Sequence, residues 1–320
     1  MKNVCILALL SAIFLTGCNS GGGGGSAPED KLIAFVTNNP SDYWLTARAG
    51  TEKAAKELKG FKVQFVMLDK GEAAVQKAKM DDLIVNGAKG IAVSPVAPKD
   101  QTLDLNADAA KTLLITQDSD APDSNRACYI GTDNEKAGEM LGGAVLKALP
   151  NGGKIMVFVG DAGAQNAKDR YEGLKKALEG SKVSIIDLRT DNTERARAKQ
   201  NVADAIVKYP DLAGCVGLWS YNGPAIADAV KEAKKVGKIQ IICFDTDPGT
   251  PEGVADGTIF ATEVQQPFEF GYQSMKLMAA VLSGDKTAIP ASKQIIIPTQ
   301  LLYKDTIKDY MDNLHKLTGK

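Results

Sequence analysis

The sequence predicts an α/β protein with two lobes, each built on a doubly wound parallel sheet. Short apolar runs alternate with longer amphipathic segments along most of the chain, which is the pattern of βαβ units. This alternation breaks and starts again near Thr132. The 320 residues suffice for two domains of ordinary size. Because the sequence has no fixed-period repeat, the two halves share an order of strands and helices and not a repeated sequence.

Before the break, apolar runs and helix-spaced segments follow each other in order. The run 32–36 is followed by apolar or small residues at helical spacing from Trp44 to Leu58, and Gly60 ends that helix. Gly87 and Pro95 mark two further stops. We therefore expect strands at 32–36, 62–68, 90–94, 112–116 and 128–131. Two more helices are expected after the one that Gly60 ends, at 72–86 and 99–110.

After the break the same order returns. Glycines at 152 and 153 close the first helix, and Gly284 ends a long one near the end of the chain. An apolar run at 295–297 lies between Pro290 and Pro298. We expect strands at 154–159, 183–188, 214–219, 239–244 and 258–264, and helices at 133–149, 165–179, 194–208, 223–236, 251–256, 268–282 and 304–317.

The first residues have the pattern of a targeting segment. Lys2 precedes an apolar run at 4–15 that is too short to span a membrane, and the run leads into Leu15-Thr16-Gly17-Cys18. This ending resembles the bacterial lipoprotein box, in which the cysteine is lipidated; a plain secretory signal with a chance cysteine is the alternative. We expect a signal peptide at 1–17, lipidation at Cys18 and a glycine-rich tether at 18–30. The protein would then be lipid-anchored in the periplasm or at the outer face of the cell envelope.

Composition narrows the class of partner. The chain is 44% hydrophobic and 24% charged with a net charge of −1, and it has no basic block, which argues against nucleic acid. It contains one histidine and no CxxC, so we expect no metal site and no cofactor. Cys128, Cys215 and Cys243 lie in or beside apolar runs, so buried free thiols are expected, although a disulfide stays open.

The turn at 37–50 is the strongest candidate for a binding element. It follows the first predicted strand, and ligands of open α/β sheets bind at the carboxyl ends of strands. Asn38 and Ser41 stand there beside the aromatic residues Tyr43 and Trp44. Hydrogen-bonding groups next to flat apolar faces suit a sugar ring. The alternative is ordinary loop and N-cap chemistry, with Trp44 in the core.

Amide and carboxylate groups also follow most other predicted strands. Together they form the donor and acceptor set that a polyhydroxyl ligand needs. Asp133, Thr193 and Asn222 also stand where helices begin, so for each of them taken singly an N-cap is the favoured interpretation. The residues in question are Asp118, Ser119, Thr132, Asp133, Asn134, Asp161, Asp191 to Thr193, Tyr221, Asn222, Asp245 and Gln265.

The sequence argues against an enzyme. The glycines at 160 and 163 lack the GK[ST] ending of a phosphate-binding loop, and neither GxGxxG after a strand nor GxSxG is present. The single histidine, His315, lies in the terminal helix. A repressor is excluded because the amino terminus that would hold its helix-turn-helix is a predicted signal peptide.

Seven ordered sequence blocks resemble the ribose-binding-protein family of periplasmic sugar-binding proteins. They extend from Lys31 to about Gln300 and read AFVTNNPSDYW, ITQDSD, IGTDNEKAG, GDAGAQNAKDRYEGL, YNGPAIADAVKEA, ICFDTDPGTPEG and ATEVQQPFEFG. The resemblance implies the type I periplasmic-binding-protein fold, with a three-segment hinge near 132–133, 265–266 and 293–295. The lobes would comprise 31–132 plus 266–293, and 133–265 plus 294–320.

The family also implies a function. A monomer would enclose a monosaccharide (a pentose, a hexose or a related polyol) between its lobes and deliver it to the membrane subunits of an ABC importer. A sensor that presents sugar to a membrane receptor, or a sugar-modifying enzyme on the same scaffold, are the alternatives.

The resemblance assigns roles to individual residues. Tyr43 and Trp44 correspond to stacking aromatics, and Arg170 to an arginine of the second lobe that would help Asp118 and Asp245 stay ionised. Three departures from the ribose binder imply that the sugar is not ribose. Ser41 replaces an amide, Ser119 stands where the ribose binder has an arginine, and Asn192 or Thr193 stands at the position of a second-lobe aromatic residue. The complete predicted ligand-binding set is Asn38, Ser41, Tyr43, Trp44, Asp118, Asp133, Arg170, Asn222, Asp245 and Gln265.

Overall fold

The computed structural model of the protein describes residue 1 and residues 30–319. The predicted lipidation site Cys18 and the signal and tether segments around it, 2–29, lie outside the described residues. Within 30–319, no helix combines the length and the apolar character needed to cross a bilayer.

Twelve strands and ten helices make up the described chain. The strands are β1 (Lys31–Val36), β2 (Phe61–Val66), β3 (Gly90–Val93), β4 (Leu113–Gln117), β5 (Tyr129–Gly131), β6 (Gly153–Val159), β7 (Val183–Thr190), β8 (Leu212–Gly217), β9 (Gln240–Phe244), β10 (Ala261–Val264), β11 (Gln294–Ile296) and β12 (Gln300–Leu302). The helices are α1 (Tyr43–Glu57), α2 (Ala73–Val85), α3 (Thr102–Ala109), α4 (Asn134–Ala148), α5 (Gln165–Leu178), α6 (Arg195–Lys208), α7 (Asn222–Glu232), α8 (Thr250–Asp256), α9 (Pro267–Leu282) and α10 (Ile307–Thr318).

The strands form two six-stranded sheets with the same strand order. The first sheet runs β2-β1-β3-β4-β5-β11 and is parallel throughout. The second runs β7-β6-β8-β9-β10-β12, and only its edge strand β12 is antiparallel. The predicted pair of doubly wound α/β lobes is therefore confirmed. In each lobe the chain order reverses beside the first strand, which places a crevice at the carboxyl ends of the strands.

Helices cover both faces of each sheet, so the central strands are apolar on both sides. On β1, Ile33 and Phe35 face the helices α1 and α9, whereas Ala34 and Val36 face α2 and α3. The second lobe repeats this division, since alternate residues of β6 pack in two separate core clusters. Continuous apolar runs rather than alternating ones are the expected signature of such buried strands.

The third crossing between the lobes differs from the prediction. Residues 294–296 form β11 of the first sheet, paired with β5, so their assignment to the second lobe and the crossing expected at 293–295 are wrong. The carbonyl of Lys293 accepts from the backbone N–H of Tyr129 at 2.9 Å and from Arg126 Nη1 at 3.0 Å, which fixes β11 to the first lobe. The chain crosses afterwards, at 297–299, and then forms β12, a short strand that the sequence analysis missed.

Two helix pairs pack closely enough to require glycine. A Cβ on Gly138 of α4 would overlap the carbonyl oxygen of Arg170 on α5, and a Cβ on Gly173 would overlap that of Glu135. In the first lobe, Gly271 of α9 meets the carbonyl oxygen of Ala47 on α1 in the same way. The contacts at Gly138 and Gly173 fix the position of α5, which carries Arg170.

We expect Gly138→Ala to lower the free energy of unfolding by about 1–3 kcal/mol, because the added methyl group forces α4 away from α5. Gly143→Ala on the same helix is the matched control. A Cβ at Gly143 meets nothing within 4 Å, so alanine there should stabilise the protein by about 0.5–1 kcal/mol through its better helix propensity. Urea denaturation of both variants measures the difference, and equal effects at the two positions would contradict close packing at Gly138.

Candidate ligand-binding site

A cavity between the lobes lies at the carboxyl ends of both sheets, and most of the predicted site residues line it. From the first lobe come the turn after β1 and the residue after β4; from the second come α5 and the residues after β8, β9 and β10. The lining residues are Asn38, Asn39, Ser41, Tyr43, Trp44, Asp118, Asn166, Arg170, Trp219, Ser220, Tyr221, Asp245 and Gln265.

A chain of donors and acceptors forms the first-lobe wall. Asn38 Nδ2 donates to Ser94 Oγ at 3.0 Å, and Ser94 Oγ donates to Asp118 Oδ2 at 2.9 Å. Tyr43 donates its hydroxyl to Asp118 Oδ1 at 3.2 Å. Asn38 Oδ1 is buried without a hydrogen-bond partner among the described residues. This wall therefore holds a spare acceptor beside a buried carboxylate.

Asp118 and Asp245 occupy equivalent positions in the two lobes. Each directly follows its strand, β4 or β9, with a left-handed backbone (φ 59° and φ 62°). Non-glycine residues rarely adopt this conformation, and where they do it often belongs to a ligand clamp. Both carboxylates face the same cavity, one from each side.

The two aromatic residues of α1 have different roles. Trp44 is only 1% exposed and packs edge-on against Phe35, with ring centroids 6.0 Å apart. Its indole Nε1 donates to Asn39 Oδ1 at 3.2 Å. Trp44 is thus mainly a core residue that touches the cavity, whereas Tyr43 is partly exposed and also lines it.

Arg170 brings a buried positive charge into the cavity. Its Nε donates to Asn134 Oδ1 at 2.9 Å and its Nη1 to the carbonyl of Leu218 at 2.7 Å. The guanidinium lies 4.1 Å from the centroid of the Phe244 ring. Its Nη2 is buried without a hydrogen-bond partner among the described residues, so one donor group of the fork remains for a ligand.

Asp245 and Gln265 form a paired unit at the end of the second sheet. The backbone N–H of Gln265 donates to Asp245 Oδ1 and its side-chain Nε2 to Asp245 Oδ2, both at 2.9 Å. Burial raises the pKa of Asp245 to about 6, although Arg170 and the Gln265 amides act in the opposite direction. Burial also raises the pKa of Asp118, although the positive charge of Arg170 acts in the opposite direction. The arginine therefore favours the ionised forms, as expected, but does not outweigh desolvation.

The second lobe supplies an aromatic wall that the sequence analysis did not predict. Trp219 and Tyr221 follow β8 and line the cavity together with Ser220, and Trp219 Nε1 donates to Asn166 Oδ1 at 3.3 Å. Asn192 and Thr193, the positions considered for a second-lobe aromatic, do not line the cavity. Trp219 falls inside the strand expected at 214–219, whereas β8 ends at Gly217, so Trp219 belongs to the turn that follows the strand.

Asn222 lies behind this aromatic wall and not in it. Its Oδ1 accepts from the backbone N–H of Trp219 at 3.0 Å and its Nδ2 donates to Asp191 Oδ2 at 3.1 Å. Asp191 Oδ1 also accepts the Tyr221 hydroxyl at 2.5 Å, and burial raises the pKa of Asp191 to about 6. Asn222 and Asp191 therefore position the turn that carries the wall.

Asp133 is the other predicted site residue that the structure does not bring to the cavity. It is exposed and caps α4, with Oδ1 accepting from the backbone N–H of Lys136 at 3.0 Å. The next residue, Asn134, is buried and holds Arg170. Ser119 is buried as well, outside the cavity lining.

The lobes are closed on each other. Ser41 Oγ of the first lobe lies 3.4 Å from Ser220 Oγ of the second, and Asn166 Nδ2 donates to Asp118 Oδ2 at 3.4 Å. The cavity has a volume of about 30 Å³. That is space for a few waters, so the lobes must separate to admit a larger molecule.

The lining groups are suited to bind a polar molecule that both donates and accepts hydrogen bonds. Carboxylates accept, the guanidinium donates, and the aromatic walls offer flat apolar faces. Within the described residues no group of His, Cys, Asp and Glu side chains is arranged to hold a metal ion. The cleft between two similar lobes has the architecture of a hinged binding protein.

A family model described as a periplasmic binding protein domain matches residues 33–286. The chain belongs to this family. It is 27% identical over 296 residues to the ribose import binding protein RbsB of Haemophilus influenzae, covering 91% of this chain and 98% of that protein.

Solved structures agree with this assignment. An ABC transporter solute-binding protein from Burkholderia graminis in complex with D-arabinose superposes with a TM-score of 0.83 at 27% identity, covering 89% of this chain and 99% of that chain. GanP, a glucose-galactose binding protein from Geobacillus stearothermophilus, superposes with a TM-score of 0.81 at 26% identity, covering 87% of this chain and 98% of that chain.

The hinge of this periplasmic binding protein contains a buried glutamate. Glu263 on β10 is 0% exposed, and its Oε1 accepts the hydroxyl of Thr299, in the third crossing, at 2.6 Å. Its Oε2 has no hydrogen-bond partner among the described residues. Burial raises the pKa of Glu263 to about 7, with Arg170 opposing the rise.

We expect Glu263→Gln to stabilise the protein relative to wild type more at pH 8 than at pH 5. The pKa of Glu263 is higher in the folded protein than in the unfolded chain, so protonation of Glu263 favours folding. This contribution to the free energy of unfolding is complete below the ordinary pKa of a glutamate and is lost as the pH rises through about 7. The change in relative stability between those two pH values should be about 3 kcal/mol. Urea denaturation at both pH values measures it, with the exposed Glu179→Gln as control; parallel pH profiles of wild type and Glu263→Gln would contradict a buried titrating carboxyl.

Proposed function

We propose that this protein binds a monosaccharide between its lobes and delivers it to an ABC-type sugar importer. The observation that carries the proposal is a pair of unsatisfied buried polar groups, one from each lobe, on two residues that line the cavity. Arg170 Nη2 is a donor and Asn38 Oδ1 is an acceptor, both unpaired among the described residues. A buried polar group without a partner costs about 1–3 kcal/mol, and a sugar hydroxyl satisfies either kind.

The rest of the cavity fits the same ligand class. Asp118 and Asp245 offer carboxylate oxygens from opposite lobes, which accept from hydroxyls. Tyr43, Trp219 and Tyr221 supply apolar surface for the C–H faces of a sugar ring. The ribose import and arabinose-bound relatives support the assignment to pentoses and related sugars. Ser41 and Ser119, where the ribose binder has other residues, argue for a sugar other than ribose.

The mechanism is a hinge closure. In the open form the lobes separate at 132–133, 265–266 and 297–299, and each presents half of the hydrogen-bonding set. A bound sugar is shared between Asp118 on one side and Arg170 and Asp245 on the other, so closure is favoured only with a ligand that reaches both. The closed form is the state that the importer's membrane subunits would recognise.

The amino-terminal sequence supports an anchored form of the protein. Cleavage before Cys18 and lipidation of that cysteine would hold the folded lobes at the membrane surface through the glycine-rich segment that follows. A monomer placed in this way, in the periplasm or at the outer face of the envelope, is able to capture sugar and dock on the importer.

Isothermal titration calorimetry with a panel of pentoses, hexoses and polyols tests the proposal. We expect at least one sugar to bind with saturable heat. Mass spectrometry of the small molecules released on denaturation identifies a ligand that copurifies. Absence of heat with every member of the panel, using protein freed of copurifying ligand by unfolding and refolding, would contradict sugar binding.

A further inference from the structure

A second chamber adjoins the cavity and is much larger. It shares Tyr43, Ser220, Asp245 and Gln265 with the inner cavity, so the two spaces lie side by side along these four residues. Its volume is about 340 Å³, compared with about 30 Å³ for the inner cavity. We call it the outer chamber. It lies between the start of α1 in the first lobe and α10 with the segment 246–252 in the second.

The lining of the outer chamber resembles that of a carbohydrate subsite. Flat or broad apolar groups are provided by Pro248, Pro251, Pro267, Tyr310, Met311 and Leu314. Hydroxyl and carboxylate groups stand among them, from Thr46, Asp42, Asp247 and Glu252. Apolar surface with a few convergent acceptors is what a second sugar ring requires.

Asp247 contributes a buried carboxylate to this lining. Its side chain is buried, and Oδ2 accepts from Arg195 Nη1 at 2.7 Å. Oδ1 has no hydrogen-bond partner among the described residues. Because this side chain is 0% exposed, Asp247 acts on the outer chamber through its negative charge and not through a direct contact.

The charges of the outer chamber select against anions. Asp42, Asp245, Asp247 and Glu252 line it, and His315 is the single basic side chain in the lining. Arg195 already pairs with Asp247. A phosphorylated or carboxylated substituent would therefore be repelled, whereas a neutral, hydroxyl-rich one is accepted.

We infer that the outer chamber is a second subsite, and that the physiological ligand is a neutral disaccharide or glycoside whose first ring occupies the inner cavity. The inference rests on the proposed sugar-binding function and extends it from a free monosaccharide to a substituted one. Both lobes line the outer chamber, so closure encloses the substituent as well as the first ring. The inner cavity of about 30 Å³ is too small for a sugar ring, so the first ring enters while the lobes are apart, and its substituent then lies in the adjoining outer chamber.

Leu314→Trp and Leu317→Trp test the outer subsite as a matched pair on α10. Leu314 lines the outer chamber, where an indole would fill the space, while Leu317 lies one turn further on, is 48% exposed and does not line it. Calorimetry compares free pentoses and hexoses with their methyl and phenyl glycosides and with disaccharides of the same sugars. Circular dichroism checks that both variants fold.

We expect a glycoside or disaccharide to bind wild type about tenfold or more tightly than the corresponding free sugar. Leu314→Trp should lower that affinity ratio about tenfold, and Leu317→Trp should preserve it. Saturable heat with free sugars but weaker binding of all glycosides and disaccharides would overturn the second subsite and leave the proposed function intact. An equal ratio in the two variants would also overturn it, and no heat with any sugar would refute both proposals together.

Discussion

Arg170→Ala is expected to abolish measurable sugar binding while the protein stays folded. In the second lobe the arginine donates to Asn134 and to the Leu218 carbonyl; its residue lines the cavity, and its Nη2 has no hydrogen-bond partner among the described residues. Removing a buried, hydrogen-bonded charge from a binding site costs about 2–5 kcal/mol, which corresponds to a loss of affinity of roughly 30-fold to more than 1,000-fold. Calorimetry with the best sugar of the panel measures this loss.

Two further substitutions sharpen the Arg170 experiment. Arg170→Lys should fail to restore affinity, because an ammonium lacks the planar fork that reaches Asn134, Leu218 and a ligand together. Arg48→Ala, at an exposed arginine of α1 paired with Glu52, should bind sugar like wild type. If Arg170→Ala bound within about threefold of wild type, Arg170 would be a structural residue of α5 and not a ligand contact.

Asp245→Asn is expected to weaken sugar binding by about 30-fold at pH 8 and by much less at pH 5. The two amides of Gln265 hold both carboxylate oxygens, and an asparagine cannot accept from both. The pKa of Asp245 is raised to about 6, so in the wild-type protein the Asp245 side chain is ionised at pH 8 and largely protonated at pH 5. Wild-type affinity should therefore fall as the pH drops through about 6, approaching that of the variant.

Titrations at several pH values measure this convergence. The variant's profile should be flatter than that of wild type but not flat, because the pKa of Asp118 is also raised and Asp118 remains. Asp228→Asn, at an exposed aspartate of α7, is the control and should follow the wild-type profile. Affinities that differ by the same factor at every pH would mean that the charge of Asp245 takes no part in binding.

Much of the candidate site follows from the order of strands along the chain. Parallel strands bring their carboxyl ends to one edge, so polar residues that directly follow strands converge whatever the details of packing. Asp118, Asp245 and Gln265 reach the cavity for this reason. The lobe architecture is predictable in the same way, because strands covered on both faces leave continuous apolar runs in the sequence.

Residues next to helix starts are less predictable, because one position along a helix rotates a side chain by about 100°. Asp133 and Asn134 both begin α4, yet Asp133 caps it in solvent and Asn134 faces inward to hold Arg170. Asn222 likewise bonds Trp219 and Asp191 behind the wall instead of facing the cavity. The sequence identifies such residues as polar and well placed but cannot choose between a cap, a support and a ligand contact.

Short segments at the hinge depend wholly on pairing partners distant in sequence. Ile295 is apolar and could join either sheet, and its pairing with Ile130 of β5 decides that it belongs to the first. β12 is only three residues long and is recognisable only because β10 offers it an edge. Strand signals of this length are too weak to locate from periodicity alone.

The turn after β1 shows what each level contributes. Sequence alone determined that Asn38, Ser41 and Tyr43 stand at the carboxyl end of a first strand. The spacing of apolar residues on either side of this turn predicts a strand before it and a helix after it. Only the tertiary structure decided that Trp44 packs mainly into the core, and that Trp219 and Tyr221 provide the opposing aromatic surface. It also decided that a larger outer chamber adjoins the cavity, because that chamber lies between α1 and α10, which belong to different lobes and come from opposite ends of the described chain.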